Sequence, residues 1–323
     1  MFDSLGRNID YLRISLTDRC NLRCKYCMPQ GVQELKHEDI LSYEEILSIC
    51  KVAVSLGIKK FKVTGGEPLV RKGAVEFLGA LKKMSGVASV TLTTNGCLLT
   101  EQLSALRAMG LDGINISLDT MEEKQYKEIT GKYGCATVLK AIKASVAAGI
   151  PTKVNVVLLA ENEKQILPLA ALGENLPLAV RFIELMPLGY GIKYFGPKER
   201  QVYELLKTKY ADLALDGQRR GNGPAVYYKS AALQGCLGFI SPNTNRFCAE
   251  CNRVRLTSTG FLKPCLCYSL GVNLRPLVKA DASYVEENLT EAFQKAISLK
   301  PAGHCFAQKD AITEHKSMNQ IGG

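Results

Sequence analysis

Along the first two-thirds of the chain, short apolar runs alternate with longer segments in which apolar residues recur every three or four positions. Residues 11–16, 60–64, 90–94, 113–118, 153–158 and 180–183 are short, β-branched or apolar, and bounded by turn-forming or polar residues, which are the marks of strands. Helical periodicity fills the intervals. Ser42 with Glu45 three residues on forms a capping box; Ile46, Ile49, Ala53 and Leu56 then share one face, and Gly57 suits the C-terminal cap. A second helix is predicted from Thr100, with Leu103, Leu106 and Met109 on one side and Gly110 as its stop. A third covers 135–148 and is ended by Gly149 and Pro151. Six strands separated by such crossovers imply a parallel sheet. The two further βα units of a closed eightfold barrel are not found before residue 217. The pattern therefore predicts an α/β fold, a partial (βα)6 TIM-type barrel of parallel strands.

The Gly-, Asn- and Arg-rich stretch 216–224 reads as a linker, and beyond it the βα rhythm stops. Residues from about 225 onward read as a separate cysteine-bearing module, a polar helix over 282–298 and a tail. The expected division is 1–217 for the barrel and 218–323 for the C-terminal module.

Composition narrows the class. Of the 323 residues, 46% are apolar and 22% charged, as in ordinary globular proteins. No apolar run is long enough to cross a bilayer, and the first residues lack the basic and apolar regions of a signal peptide, so a cytoplasmic location is expected. The net charge of +10 suits an anionic substrate; its plain alternative is a solvated basic surface. Nucleic acid is disfavoured, because no dense Lys/Arg block with interleaved aromatics occurs and Trp is absent. Disulfides do not persist in that compartment, so clustering among the 12 cysteines points to metal or catalysis. Cys20, Cys24 and Cys27 form one group, and Cys248, Cys251, Cys265 and Cys267 another. Cys50, Cys97, Cys135, Cys236 and Cys305 are scattered and read as small packed apolar side chains.

The first group, Cys20-Asn-Leu-Arg-Cys24-Lys-Tyr-Cys27, follows directly on the first strand, at the end where parallel barrels carry their active sites. Three thiolates can hold three irons of a [4Fe–4S] cluster, and the fourth iron, left open, can chelate a methionine amino and carboxylate group. Zinc is the alternative, although structural zinc prefers four closed ligands. With Thr64-Gly65-Gly66-Glu67-Pro68 ending the second strand, the chain resembles the radical S-adenosylmethionine (SAM) superfamily. The resemblance implies that Gly66 contacts the SAM amino acid and Tyr26 lies against the adenine. It gives Ser117 and Met186 as further SAM contacts; simple core packing is the alternative for Met186.

In the second group, Cys248-Ala-Glu-Cys251 is followed by Cys265 after thirteen residues, with Arg253-Val254-Arg255 between them. Alternate residues of a strand face one side, so both guanidinium groups would point together, a pairing suited to phosphate; two surface arginines is the bland alternative. This combination is similar, nearly end to end, to the GTP 3′,8-cyclase family of molybdenum cofactor biosynthesis. The likeness includes residues 17–21 (TDRCN), 92–96 (LTTNG), 115–119 (NISLD), 153–155 (KVN), 181–184 (RFIE) and the terminal Gly322-Gly323. It implies two [4Fe–4S] clusters, SAM, and GTP held at strand ends by Arg13, Lys62, Thr93, Lys153, Arg253 and Arg255, with Arg181 a weaker candidate. Lys62 stands where some members carry Arg. The resemblance also sends the tail into the catalytic cavity, and gives Arg253, Arg255, Gly322 and Gly323 as the candidate catalytic residues. The implied reaction begins with one-electron cleavage of SAM. Hydrogen is then removed at C3′ of the GTP ribose, and C3′ attacks C8 of guanine. Implied partners are a flavodoxin- or ferredoxin-type electron donor and a downstream cyclic pyranopterin monophosphate synthase, with no membrane or nucleic acid, in a monomer or homodimer. Cys267 is a departure: as a fourth ligand it would close the second cluster, as in radical SAM peptide-modifying enzymes with an auxiliary relay cluster. A non-catalytic zinc- and nucleotide-binding protein is the alternative from another class.

Overall fold

The strands form where the apolar runs predict them: β1 (Tyr11–Ser15), β2 (Lys60–Thr64), β3 (Ser89–Thr94), β4 (Ile114–Ser117), β5 (Thr152–Leu158) and β6 (Ala179–Glu184). The computed structural model describes residues 1–322 except 32–34, 219 and 282. The six strands pair in parallel and in chain order. Arg13 lies opposite Lys62, Thr93 opposite Asn115, Asn115 opposite Lys153, and Asn155 opposite Arg181. Strand periodicity then sorts the side chains. Leu12, Ile14, Phe61, Val63, Val90, Leu92, Ile116, Val154 and Phe182 are fully buried or nearly so in the core shared with the helices. The alternate positions carry the charged and polar residues and turn into the barrel. Parallel strands usually read as continuous apolar runs; here only the outer face does, which leaves a polar interior.

The helices are α1 (Tyr43–Ser55), α2 (Ala74–Lys83), α3 (Leu103–Ala108), α4 (Glu123–Thr130), α5 (Cys135–Ala147), α6 (Ile166–Ala170), α7 (Leu172–Asn175) and α8 (Glu199–Lys209). The capping box of α1 is reciprocal: Glu45 N donates to Ser42 Oγ at 3.1 Å, and Ser42 N to Glu45 Oε2 at 2.6 Å. Gly57 follows at φ +90°, as its C-terminal role requires. The helix predicted from Thr100 instead begins as a 3₁₀ turn, Thr100–Gln102, and becomes α-helical only at Leu103, because no side chain caps it.

The C-terminal segment departs from the expectation of a detached module. β9 (Cys236–Ile240) joins β6 in parallel, and β10 (Arg253–Leu256) joins β1 in parallel. Outside them lie antiparallel strands: β7 (Ala214–Asp216) and β8 (Val226–Lys229) beyond β9, and β11 (Phe261–Lys263) and β12 (Val272–Asn273) beyond β10. The stretch read as a linker is the loop of the β7–β8 hairpin. The margins of β1 and β6 would otherwise expose unpaired backbone groups, and the late strands satisfy them. The chain closes with α9 (Arg275–Val278) and α10 (Val285–Ser298). α10, expected to be polar, is amphipathic and buries Leu289, Phe293, Ala296 and Ile297 in the main core. The fold is an α/β partial barrel, and no helix among the described residues is long and apolar enough to cross a membrane.

Candidate active site

Cys20, Cys24 and Cys27 lie on the loop leaving β1. The turn is tight because the backbone N–H groups of Cys27 and Met28 both donate to Cys24 O at 2.9 Å. Gly65 and Gly66 brace it from β2. Gly66 N donates to Thr17 O and Glu67 N to Arg19 O, and a Cβ on Gly66 would fall 2.4 Å from Arg19 O and 2.6 Å from Asp18 O. These glycines are thus demanded by the chain's own packing, before any ligand is considered. The buried Glu67 carboxylate accepts from Thr94 Oγ1 at 2.8 Å and Asn95 N at 2.6 Å. Asn95 Nδ2 donates in turn to Asn21 Oδ1 at 2.7 Å and reaches Cys20 Sγ at 3.7 Å; Leu22 N donates to the same sulfur at 3.4 Å. Tyr26 Oη donates to Asp119 Oδ2 at 2.6 Å, which fixes its ring. Burial, reinforced by the charge of Cys27, holds the Cys24 thiol well above its usual range, and burial pushes Cys27 up to about 12. Three thiolates so placed need a positive centre among them, which iron supplies.

The second group is built differently. Cys248 and Cys251 flank a short turn ahead of β10, and Cys265 follows β11. The buried Arg7 guanidinium donates to Cys248 O at 2.9 Å and Pro301 O at 2.9 Å while pairing with Asp3, so it ties the N-terminus, this turn and the last segment together. Lys300 Nζ donates to Arg253 O at 2.8 Å and Pro264 O at 2.7 Å. Burial pushes the Cys251 thiol up, but the Arg253 guanidinium and Lys300 ammonium outweigh it and bring the group to about 6. Arg253 Nε lies 3.5 Å from Cys251 Sγ, the kind of N–H···S contact that tunes cluster ligands. Cys267 does not join this set. It is buried with Leu188, Leu266 and Ile312, its sulfur lies 2.9 Å from Cys305 Sγ, and it is not among the residues lining the cavity.

One cavity of about 370 Å³ touches all six grouped cysteines. Gly66, Tyr26, Ser117 and Met186 line it, as do Arg13, Lys62, Thr93, Arg181, Arg253 and Arg255. The sequence suggested strand ends for the whole set; Arg253 opens β10, but Arg13 and Lys62 sit at the middle of five-residue strands, and Arg255 pairs beside Arg13. Lys153 is not among the lining residues; its ammonium donates to Arg220 O at 2.8 Å under the β7–β8 loop. Gly322 is buried near β1 and β10, and its carbonyl accepts from Arg255 Nη1 at 2.9 Å. Gly323 lies outside the described residues. Burial, then the charges of Arg181, Arg13, Lys153 and Arg253, pulls the Lys62 ammonium well below its usual range. Burial with Arg13 and Arg253 does the same to Arg255. Among the described residues no carboxylate pairs with Lys62, Arg181 or Arg253. Such a chamber stores like-charge repulsion that a polyanion relieves.

Sequence reasoning missed several residues here. Asn95, Asn155, Phe247, His304, Met318 and Asn319 also line the cavity. Asn155 Oδ1 accepts from Arg181 Nε at 2.9 Å, and Asn319 Nδ2 donates to Asp18 O at 3.1 Å. Polar residues at inward strand positions signal the first kind. Nothing local in the sequence marks Arg7 or Lys300, which act across nearly the whole chain. The donor sets fit the implied clusters: two groups of three thiols open onto one space, and among the described residues no other cysteine lines it.

The profile of the radical SAM superfamily matches residues 14–172, and one described as Molybdenum Cofactor Synthesis C matches residues 178–306. Streptococcus suis SuiB bound to S-adenosylmethionine superposes with a TM-score of 0.63 at 16% identity, over 98% of this chain and 78% of that one, a likeness of fold. Barrel, loop and cavity together define a radical SAM enzyme. The GTP 3′,8-cyclase of Clostridium perfringens (strain SM101 / Type A) is 41% identical over 325 residues. That of Moorella thermoacetica is 42% identical over 335, and each match spans 100% of both chains. This chain belongs to the GTP 3′,8-cyclase family.

Proposed function

We propose that this protein cyclises GTP to (8S)-3′,8-cyclo-7,8-dihydroguanosine 5′-triphosphate, the opening step of molybdenum cofactor biosynthesis. The observation that carries the reading is the shared cavity, which two groups of three thiols and the cations Arg13, Lys62, Arg181, Arg253 and Arg255 line together. Cys20, Cys24 and Cys27 would hold the first cluster, and Cys248, Cys251 and Cys265 the second. The first cluster with SAM supplies the one-electron chemistry that starts the reaction. Gly66, Tyr26, Ser117 and Met186 hold SAM. Arg13, Lys62, Thr93, Arg181, Arg253 and Arg255 draw the triphosphate into the barrel, and Lys153 adds charge from below. Arg253 and Arg255 share one face of β10, so they grip phosphate oxygens as a fork and leave the ribose turned towards the SAM side. Gly322, held on Arg255, closes the chamber against water. Residues 1–217 and 218–323 act as two functional halves of one sheet. We assign a flavodoxin- or ferredoxin-type donor, a downstream cyclic pyranopterin monophosphate synthase and a cytoplasmic setting on the family's chemistry.

The reading that Cys267 closes the second cluster, as in a relay-type peptide-modifying enzyme, is disfavoured by its burial against Cys305. Anaerobically reconstituted protein given SAM, GTP and a reductant will form 5′-deoxyadenosine in step with GTP consumption. Formation of 5′-deoxyadenosine at a rate indifferent to GTP would remove GTP as substrate.

A further inference from the structure

We propose that Cys267 and Cys305 are a redox-active dithiol pair that closes reversibly to a disulfide, a modification site separate from the two cluster-type groups. Cys305 reads from sequence as an isolated packed thiol. The fold brings it to Cys267 across 38 residues, with the sulfurs 2.9 Å apart and Cys305 N donating to Cys267 Sγ at 3.2 Å. Among the described residues it is the one sulfur–sulfur contact within hydrogen-bonding range. Neither sulfur belongs to the residues lining the cavity. Cys267 is fully buried and Cys305 half-buried, so Cys305 is the member of the pair nearer to solvent. Cys267 packs in an apolar cluster with Leu188, Leu266 and Phe306, and Cys305 packs against it.

The reactant is a low-molecular-weight disulfide. Deprotonated Cys305 attacks one of its sulfurs, forms a mixed disulfide and releases one thiol. Cys267 then displaces the second thiol and completes the protein S–S bond. The pair gives up two electrons, the reagent takes them as two thiols, and the two cysteine protons end on those products. Closure joins the loop carrying Cys265 to the segment that runs into the tail. Cytosolic disulfides of this kind are transient and redox-sensing.

The test uses the full-length, iron-loaded protein under anaerobic conditions, treated with oxidised glutathione and mapped by mass spectrometry without reduction. The expected product is one internal cross-link between the peptides carrying Cys267 and Cys305, reversed by dithiothreitol, with bound iron unchanged. It disappears in Cys267→Ser and, separately, in Cys305→Ser. Three results would overturn the proposal: glutathione retained on Cys305 without closure, a cross-link that survives Cys267→Ser, or reaction elsewhere with this pair untouched. The wild-type map stands alone should a variant misfold. The readout is the thiols themselves, so it is independent of whether GTP is the substrate.

Discussion

Two arginines separated by one residue can share a ligand because a strand turns alternate side chains to the same side. Arg253 and Arg255 do so on β10, with Arg255 in register with Arg13 on β1. Arg253→Ala and Arg255→Ala should each lower kcat/KM for GTP by about 100-fold, the scale of removing one charge-stabilising donor. Iron at the first cysteine group should stay intact; equal loss of iron from both groups would make these arginines structural. Lys153 gives a pH signature. Burial, then Arg181, brings its ammonium down to about 8, so the charge is present below that value and lost above it. kcat/KM for GTP should therefore fall as pH rises through about 8, and Lys153→Gln should flatten that limb. An unchanged limb in the variant assigns the titration to another group. At this scale the sequence showed which side chains carry charge, and strand alternation showed that they share a face. It did not show that Lys153 would be taken up by Arg220 O, since that contact depends on a loop 67 residues away.

At the scale of elements, the loop after β1 is held by its neighbours rather than by its own turn. Gly66 packs on the carbonyls of Asp18 and Arg19, Glu67 ties β2 to β3, and Asn319 reaches Asp18 O from the tail. Gly66→Ala must move backbone, because the new methyl would sit 2.4 Å from Arg19 O. We expect that variant to lose roughly half of its bound iron, the share of one cluster, while keeping the second set. Full iron retention by direct iron and sulfide measurement would show that the loop yields more easily than its packing implies. β1 to β6 were legible because their outer faces are apolar and β-branched. The strand at Arg253-Val-Arg was legible from its alternation, but its place beside β1 was not, and β9 was missed because the β7–β8 hairpin separates it from α8 and breaks the βα rhythm. α10 was misjudged because Glu286, Glu287 and Glu291 conceal a buried stripe of Leu289, Phe293 and Ala296.

For the whole molecule, the sequence suggested a division near residue 217, yet the sheet runs unbroken across it: β9 covers β6, and β10 covers β1. A fragment ending at residue 217 should be insoluble or lack cooperative unfolding, because both margins of its parallel sheet would be bare. A soluble fragment with a sharp thermal transition would show that the late strands are dispensable for folding. The pairing of β10 with β1 also has a bearing on the order of events at the ribosome. β1 leaves the exit tunnel some 240 residues ahead of the partner that shields its flank. At typical translation speeds that interval lasts on the order of ten seconds or more. The nascent protein thus spends it with the cysteine loop after β1 already made and one backbone ladder unguarded, a window in which chaperone cover and early metal delivery both have access.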